Sequence, residues 1–181
     1  MAAAAVKLVP PACGASFQQL LLGSWQVQRI LQYRQGGYTG QFTGTACVTM
    51  VTLQDNEHQQ QQRQSPGTLL YREEGQFVAA DSEHTMSAHR EYAFCYNTTA
   101  AAPWPVQVHF VERADHPVEL GNHFIDLSFR DDSAECSFRH HCAPDVYTGT
   151  WRFVNADAFR WSWRINGPRK DGEITTYYTR L

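Results

Sequence analysis

The sequence predicts an all-β protein: one antiparallel barrel preceded by a single short helix. Three observations carry this reading. From Ser24 onward, apolar and polar residues alternate in runs separated by Gly, Pro, Asn and Asp clusters, the period of half-buried strands. Aromatic residues make up 13% of the chain, which suits sheet faces that take up large flat rings. The runs also follow one another through mostly hairpin-sized connections, and such a series usually closes on itself because closure removes unpaired edges. A two-sheet sandwich is the alternative arrangement.

Met1 to Ala15 is alanine-rich but broken by Pro10 and Pro11 before an apolar segment of secretory length forms, so residues 1–15 read as a flexible arm and 16–181 as the domain. Ser16-Phe17-Gln18-Gln19 has the form of a capping box, and Leu20 to Leu22 continue a short helix that ends at Gly23. Strands are expected over 24–33, 40–53, 68–74, 76–81, 88–97, 106–113, 122–129, 136–142, 147–154, 159–166 and 173–181. Between the second and third of these, residues 55–67 are polar, glutamine-rich and of low complexity. They cannot repay their ordering entropy and are expected to form a mobile loop.

With 181 residues the chain needs only one core. Fifteen basic against eighteen acidic side chains leave a net charge of -3, too small and too evenly spread to attract a polyanion, so nucleic acid is not an expected partner. No apolar run approaches the length of a membrane span. Cys13, Cys47, Cys95, Cys136 and Cys142 are odd in number and lack CxxC spacing, which disfavours a disulfide framework and a structural zinc site and fits a reducing, cytoplasmic location. The expectation is a monomer or homodimer with a small-molecule ligand, no cofactor and no metal.

Strand parity then sorts the side chains. Tyr147, Gly149, Trp151 and Phe153 alternate with Thr148, Thr150 and Arg152, while Phe159, Trp161, Trp163 and Ile165 alternate with Arg160, Ser162 and Arg164, so both aromatic sets point inward. The same rule places Trp25, Val27, Leu31, Tyr33, Leu69, Tyr71, Phe94, Tyr96, Ile125, Leu127, Phe129 and Phe138 inside. Polar residues share that parity: Arg29, Glu73, Arg90, Tyr92, His123, His140, Cys142, Tyr147, Tyr178 and Arg180. A buried charge without compensation costs several kcal/mol, so Arg29 and Arg90 must meet a carboxylate such as Glu73 or Asp145, a ring face or an anionic ligand. Two readings stay open: internal ion pairs that brace the barrel, and a polar binding cavity.

The densest polar segment is His140-His141-Cys142-Ala143-Pro144-Asp145-Val146-Tyr147, where His140 and Cys142 share one face and Asp145 sits in the turn. A thiol near an imidazole that a carboxylate orients has the parts of an activated nucleophile, although residues two apart on a strand stand roughly 7 Å apart. Asn166 to Gly172 reads as turn chemistry, with Lys170 at the barrel mouth where it can pair with a ligand carboxylate or with Asp145.

Gly23-Ser24-Trp25, after a short helix and opening the first strand, resembles the G-x-W signature of the lipocalins and the wider calycin superfamily. That resemblance implies that Arg180, on the last strand, packs across Trp25 in a cation–π contact worth about 0.5 to 2 kcal/mol. The chain also resembles a family of uncharacterised calycin-like proteins, a domain of unknown function, over residues 20–181. The matching pieces are Gly23-x-Trp25 with Arg29, Leu69-x-Tyr71-x-Glu73-x-x-x-Phe77, Arg90-x-Tyr92, His123-Phe124, His140-x-Cys142-x-x-Asp145-x-Tyr147, Gly167-Pro168-x-Lys170-Asp171 and Tyr178-x-Arg180. The resemblance implies a lipocalin-like barrel with a pocket, and carries no biochemistry.

Three functions follow. The first is a binding module that holds a small, partly polar or anionic molecule among Arg29, Glu73, Arg90, Lys170 and aromatic walls from Tyr92, Tyr147, Trp151 and Trp161. The second is a small-metabolite enzyme using Cys142 or His140 with Asp145. The third is a haem-binding barrel with His140 or His123 as axial ligand.

Overall fold

The computed structural model describes residues 14–53, 66–81, 85–97, 104–115, 117–130 and 133–181. One helix, α1 (Gly14–Leu21), precedes ten strands: β1 (Gly23–Gln35), β2 (Gly40–Met50), β3 (Pro66–Ala79), β4 (Thr85–Asn97), β5 (Trp104–Arg113), β6 (Glu119–Phe129), β7 (Glu135–Cys142), β8 (Asp145–Asn155), β9 (Ala158–Asn166) and β10 (Asp171–Arg180). They form one antiparallel sheet in the order β6-β5-β4-β3-β2-β1-β10-β9-β8-β7, curled until β6 and β7 approach each other. All-β architecture with a nearly closed barrel is thus the observed fold. At the β6–β7 seam side chains take over from the ladder. The His140 Nδ1–H donates to the Phe124 carbonyl across it, at 2.9 Å.

Strand direction divides the barrel into two ends. The hairpin connections β1–β2, β3–β4, β5–β6, β7–β8 and β9–β10 lie at one end, which is the mouth. Helix α1 closes the other. Phe17 is fully buried and meets Phe94, Tyr96, Phe129, Trp151 and Phe153 at centroid distances of 6.0 to 6.5 Å. Arg180 ties the plug down. Its guanidinium lies 4.3 Å from the centroid of the Trp25 ring, as the calycin resemblance implies, and donates to the Leu22 and Leu20 carbonyls at 2.7 and 2.9 Å. A cation on the last carbonyls of a helix satisfies acceptors the helix leaves unpaired and complements its dipole.

Several sequence expectations need correction. The helix begins at Gly14, so Ser16 lies inside its first turn and is not an N-cap. Pro66 and Gly67 belong to β3, while the remainder of the glutamine-rich loop and the arm up to residue 13 fall outside the described residues. The expected strands 68–74 and 76–81 are one strand, because Gly75 does not interrupt it: Gly75 pairs with Gly44 of β2, and a Cβ on either would run into the other's backbone. Glycine here allows a close approach within a continuous ladder and does not mark a turn. Finally, His123 is exposed and pairs with Asp126 at 2.9 Å instead of facing inward. The β5–β6 register slips between Val108 and His109, so Phe124 joins Ile125 on the inner side and parity reverses beyond it.

Candidate functional site

Midway along the barrel a buried polar layer separates the filled end from the mouth. Arg29 (6% exposed) and Glu73 (3%) face each other as a bidentate pair, Nη1 to Oε1 at 2.8 Å and Nη2 to Oε2 at 2.5 Å. The Arg29 Nε–H donates to Thr176 Oγ1 at 2.8 Å, and the guanidinium lies 5.0 Å from the Phe42 ring centroid. Tyr71 donates to Glu73 Oε2, and the Tyr71 and Tyr178 hydroxyls are 3.2 Å apart. Burial works to raise the Glu73 pKa, but the adjacent Arg29 charge outweighs it and holds the carboxyl below its ordinary value. Burial likewise opposes the Arg29 charge, and Tyr178 and Glu73 overcome that, moving its pKa upward. Burial pushes the Tyr178 phenol up to about 12, so it stays neutral and donates. The layer is internally satisfied, which is the condition for burying two charges at modest net cost.

Above this layer lies a cavity of about 250 Å³. Arg29 and Thr176 form its floor, and Arg90, Tyr92, Phe110, Phe124, His140, Cys142, Tyr147, Trp161, Trp163 and Ile174 its walls. Tyr92 and Phe124 stack at 5.4 Å with an interplanar angle of 4°, and Phe124 stacks in turn on Trp163. Trp161 is 3% exposed, and its buried indole N–H has no acceptor among the described residues. The volume falls just below the roughly 300 to 1,000 Å³ of ordinary small-molecule sites, which admits a molecule of one or two rings and not a haem.

The charges at the mouth are unbalanced. Arg90 makes no ion pair among the described residues. It sits 5.9 Å from the Tyr92 ring centroid. The neighbouring Tyr147 phenol holds the Lys170 pKa above its ordinary value, and Tyr33 and Cys142 act in the same direction. Asp145, although 4% exposed, is turned away from the cavity: its Oδ1 accepts from the Arg169 and Lys170 backbone N–H groups at 2.9 and 3.2 Å. It fixes the β9–β10 loop that carries Lys170. Gly167 is required there, because a Cβ would overlap Asp145.

Seven of the nine predicted site residues therefore gather at one cavity: Arg29, Arg90, Tyr92, His140, Cys142 and Tyr147 line it, and Lys170 stands at its rim. Glu73 and Asp145 instead serve as anchors below and beside it. His140, Cys142 and Asp145 are not assembled as a hydrogen-bonded triad. The His140 Nδ1 proton goes to the Phe124 carbonyl, which can only accept, leaving Nε2 as the ring nitrogen open to the cavity side. Trp151, expected as a wall, is part of the filled core, stacked 4.7 Å from Phe159. The sequence reading placed Trp163 inside without naming it as a wall, and did not name Phe110, Phe124, Ile174 and Thr176 as site residues. Parity alone finds Phe110 (with Val106 and Val108) and Ile174 and Thr176 (with Tyr178), but Phe124 depends on the bulge.

A family model, the family of unknown function DUF6314, matches residues 21–180. The chain belongs to this family. None of the functionally curated proteins matches the sequence significantly. Among solved structures, the S-type phycobiliprotein lyase of Guillardia theta superposes with a TM-score of 0.63 at 10% identity, covering 93% of each chain. At that identity the likeness places this DUF6314 barrel with the lipocalin-like lyase fold and goes no further. EF1p2_mFAP2b bound to DFHBI overlaps 90% of this chain and 95% of its own at 10% identity, with a TM-score of only 0.35. Among the described residues no helix is long and apolar enough to cross a membrane, no three His, Cys, Asp or Glu side chains are placed to hold a metal ion, and Cys47, Cys136 and Cys142 are free thiols.

Proposed function

We propose that this protein is a binding module that holds a small, partly polar, anionic molecule in the mouth half of its barrel. The observation that carries the reading is Arg90: a guanidinium lining a 250 Å³ cavity with no carboxylate partner among the described residues, while the neighbouring Arg29 is neutralised by Glu73. A fold that needed only stability would have closed this space or paired the charge. The fold neighbour, a phycobiliprotein lyase by name, shares this barrel architecture. Native mass spectrometry of protein purified under mild conditions tests the reading: a retained adduct that heat or denaturant releases is the expected result. Protein that carries nothing and binds no small carboxylate, phosphate or neutral ring compound would sink it.

A second reading, an enzyme acting through Cys142 or His140, is favoured by one observation: both side chains line the cavity. Cys47 is the internal reference, since it is exposed on the outer face of β2. If Cys142 reacts with iodoacetamide no faster than Cys47 across the neutral range, the thiol is not activated and the Cys142 half of this reading falls.

A further inference from the structure

We infer that the cavity selects planar aromatic acids, seated with the ring system against the Tyr92–Phe124–Trp163 wall and the anionic group at the rim between Arg90 and Lys170. This inference rests on the binding-module reading and specifies its ligand. Two independent features of the site point the same way. The cavity carries donors and positive charge without a matching carboxylate: among the described residues none of its lining side chains is acidic, and the two nearby acids are saturated by Arg29 and Tyr71 on one side and by backbone N–H groups on the other. Cationic ligands and strong donors are therefore disfavoured, and an acceptor-rich anion is favoured. The walls are rings. Phe, Tyr and Trp supply most of the apolar surface, and Tyr92, Phe124 and Trp163 form one continuous aromatic wall with ring separations of 5.4 Å. A rigid flat ligand covers such a wall while losing little conformational freedom.

Depth and chemistry together orient the ligand. The floor is the closed Arg29–Glu73 pair, which offers no net charge. Among the described residues the rim has two cations that make no ion pair, Arg90 beside Tyr92 and Lys170 beside Tyr147. The anionic group belongs at the rim and the ring below it.

Isothermal titration calorimetry with 2-naphthoate, its neutral isostere 2-naphthamide and the non-aromatic acid decanoate tests the inference on the full chain. 2-Naphthoate is expected to bind roughly tenfold or more tightly than 2-naphthamide, the difference a charged hydrogen bond supplies, and more tightly than decanoate. Arg90→Gln should erase the preference for the acid over the amide. Arg152→Gln, which removes an equal charge from an exposed position on the outer face of β8, should leave it intact. Equal binding of acid and amide, or a preference that survives Arg90→Gln in folded protein, would overturn the anionic half of the inference; decanoate binding as tightly as 2-naphthoate would overturn the aromatic half. If all three probes fail while native mass spectrometry still shows a retained adduct, the ligand class is wrong and the binding module stands; if both experiments are blank, both fail together.

Discussion

The two halves of this barrel are made from the same strands yet are filled in opposite ways. Toward the helix, Phe17 enters a shell of rings, and Trp25, Phe94, Phe129, Trp151 and Phe159 are each 1% exposed or less. Toward the mouth, the inward positions of the same strands carry Arg29, Arg90, His140 and Tyr147, Phe110 is 41% exposed, and space is left over. Strand alternation alone does not produce that contrast, because both halves obey it. What differs is the residue chosen at each inward position: rings that interlock below, and cations and phenols that repel close packing above. Stability is thereby concentrated at one end, and the other end is free to be a site.

That division is broken most directly by Phe17→Ala. The ring is fully buried and touches five others, so its loss leaves a cavity that the surrounding barrel cannot collapse into. A cost of about 3 to 5 kcal/mol is expected in urea unfolding. A loss below 1 kcal/mol would mean that the helix is an accessory cover and not the plug of the core.

The polar layer between the halves should respond almost as strongly. Glu73→Ala strands a buried guanidinium, and breaking a buried pair from one side costs about 3 to 5 kcal/mol. The same pair sets an acid limit. Because Arg29 holds the folded-state pKa of Glu73 below its ordinary 4.5, the contribution of Glu73 is fully present above pH 4.5 and is lost as the pH falls through the folded value. Urea midpoints measured from pH 7 to pH 3 should therefore fall below pH 4.5 in the parent protein and follow a flatter curve in Glu73→Ala. Parallel curves would show that other carboxylates govern the acid transition.

Arg180→Gln probes the seal on the filled end. It removes the cation above Trp25 and the charged donors to the Leu20 and Leu22 carbonyls, while the glutamine amide replaces only part of that hydrogen bonding. About 1 to 2 kcal/mol should be lost. The cavity should keep its ligand affinity, since Arg180 lies at the opposite end of β10 from the mouth.

How much of this was legible in the sequence differs between the halves in the same sense. The filled half follows from period-two alternation: Trp151, Phe153 and Phe159 sit where their parity puts them, and the Gly23-x-Trp25 and Arg180 pairing across the chain ends is present as the calycin resemblance implies. The mouth half is less readable because its geometry departs from regular pleating. The slip after Val108 exchanges His123 for Phe124, and no feature of the local sequence distinguishes a bulged strand from a regular one. The fate of Asp145 was equally hidden. A carboxylate in a turn reads as a candidate for catalysis, but its oxygen is engaged by two backbone N–H groups from a loop more than twenty residues later in the chain. Spacing reports which groups are near in sequence, and it is silent on which long-range donor reaches them first.

The smallest effect on stability, and the sharpest test of the contrast, belongs to Phe110. Its ring follows Val106 and Val108 in inward parity, contacts Tyr92 and Phe124 at 5.8 and 4.8 Å, and yet stands 41% exposed where β5 has parted from β4 beyond the Tyr92 pairing. Truncating a half-exposed ring beside an existing space creates little new void, so Phe110→Ala should cost no more than about 1 kcal/mol, far less than Phe17→Ala. Its apolar face nonetheless walls the cavity, so ligand affinity should fall by more than the change in stability would suggest. Thermal unfolding and calorimetric titration on the same sample separate the two quantities. If Phe110→Ala destabilises the fold as much as Phe17→Ala, the mouth is as tightly cored as the plugged end, and the division into a stabilising half and a binding half does not hold.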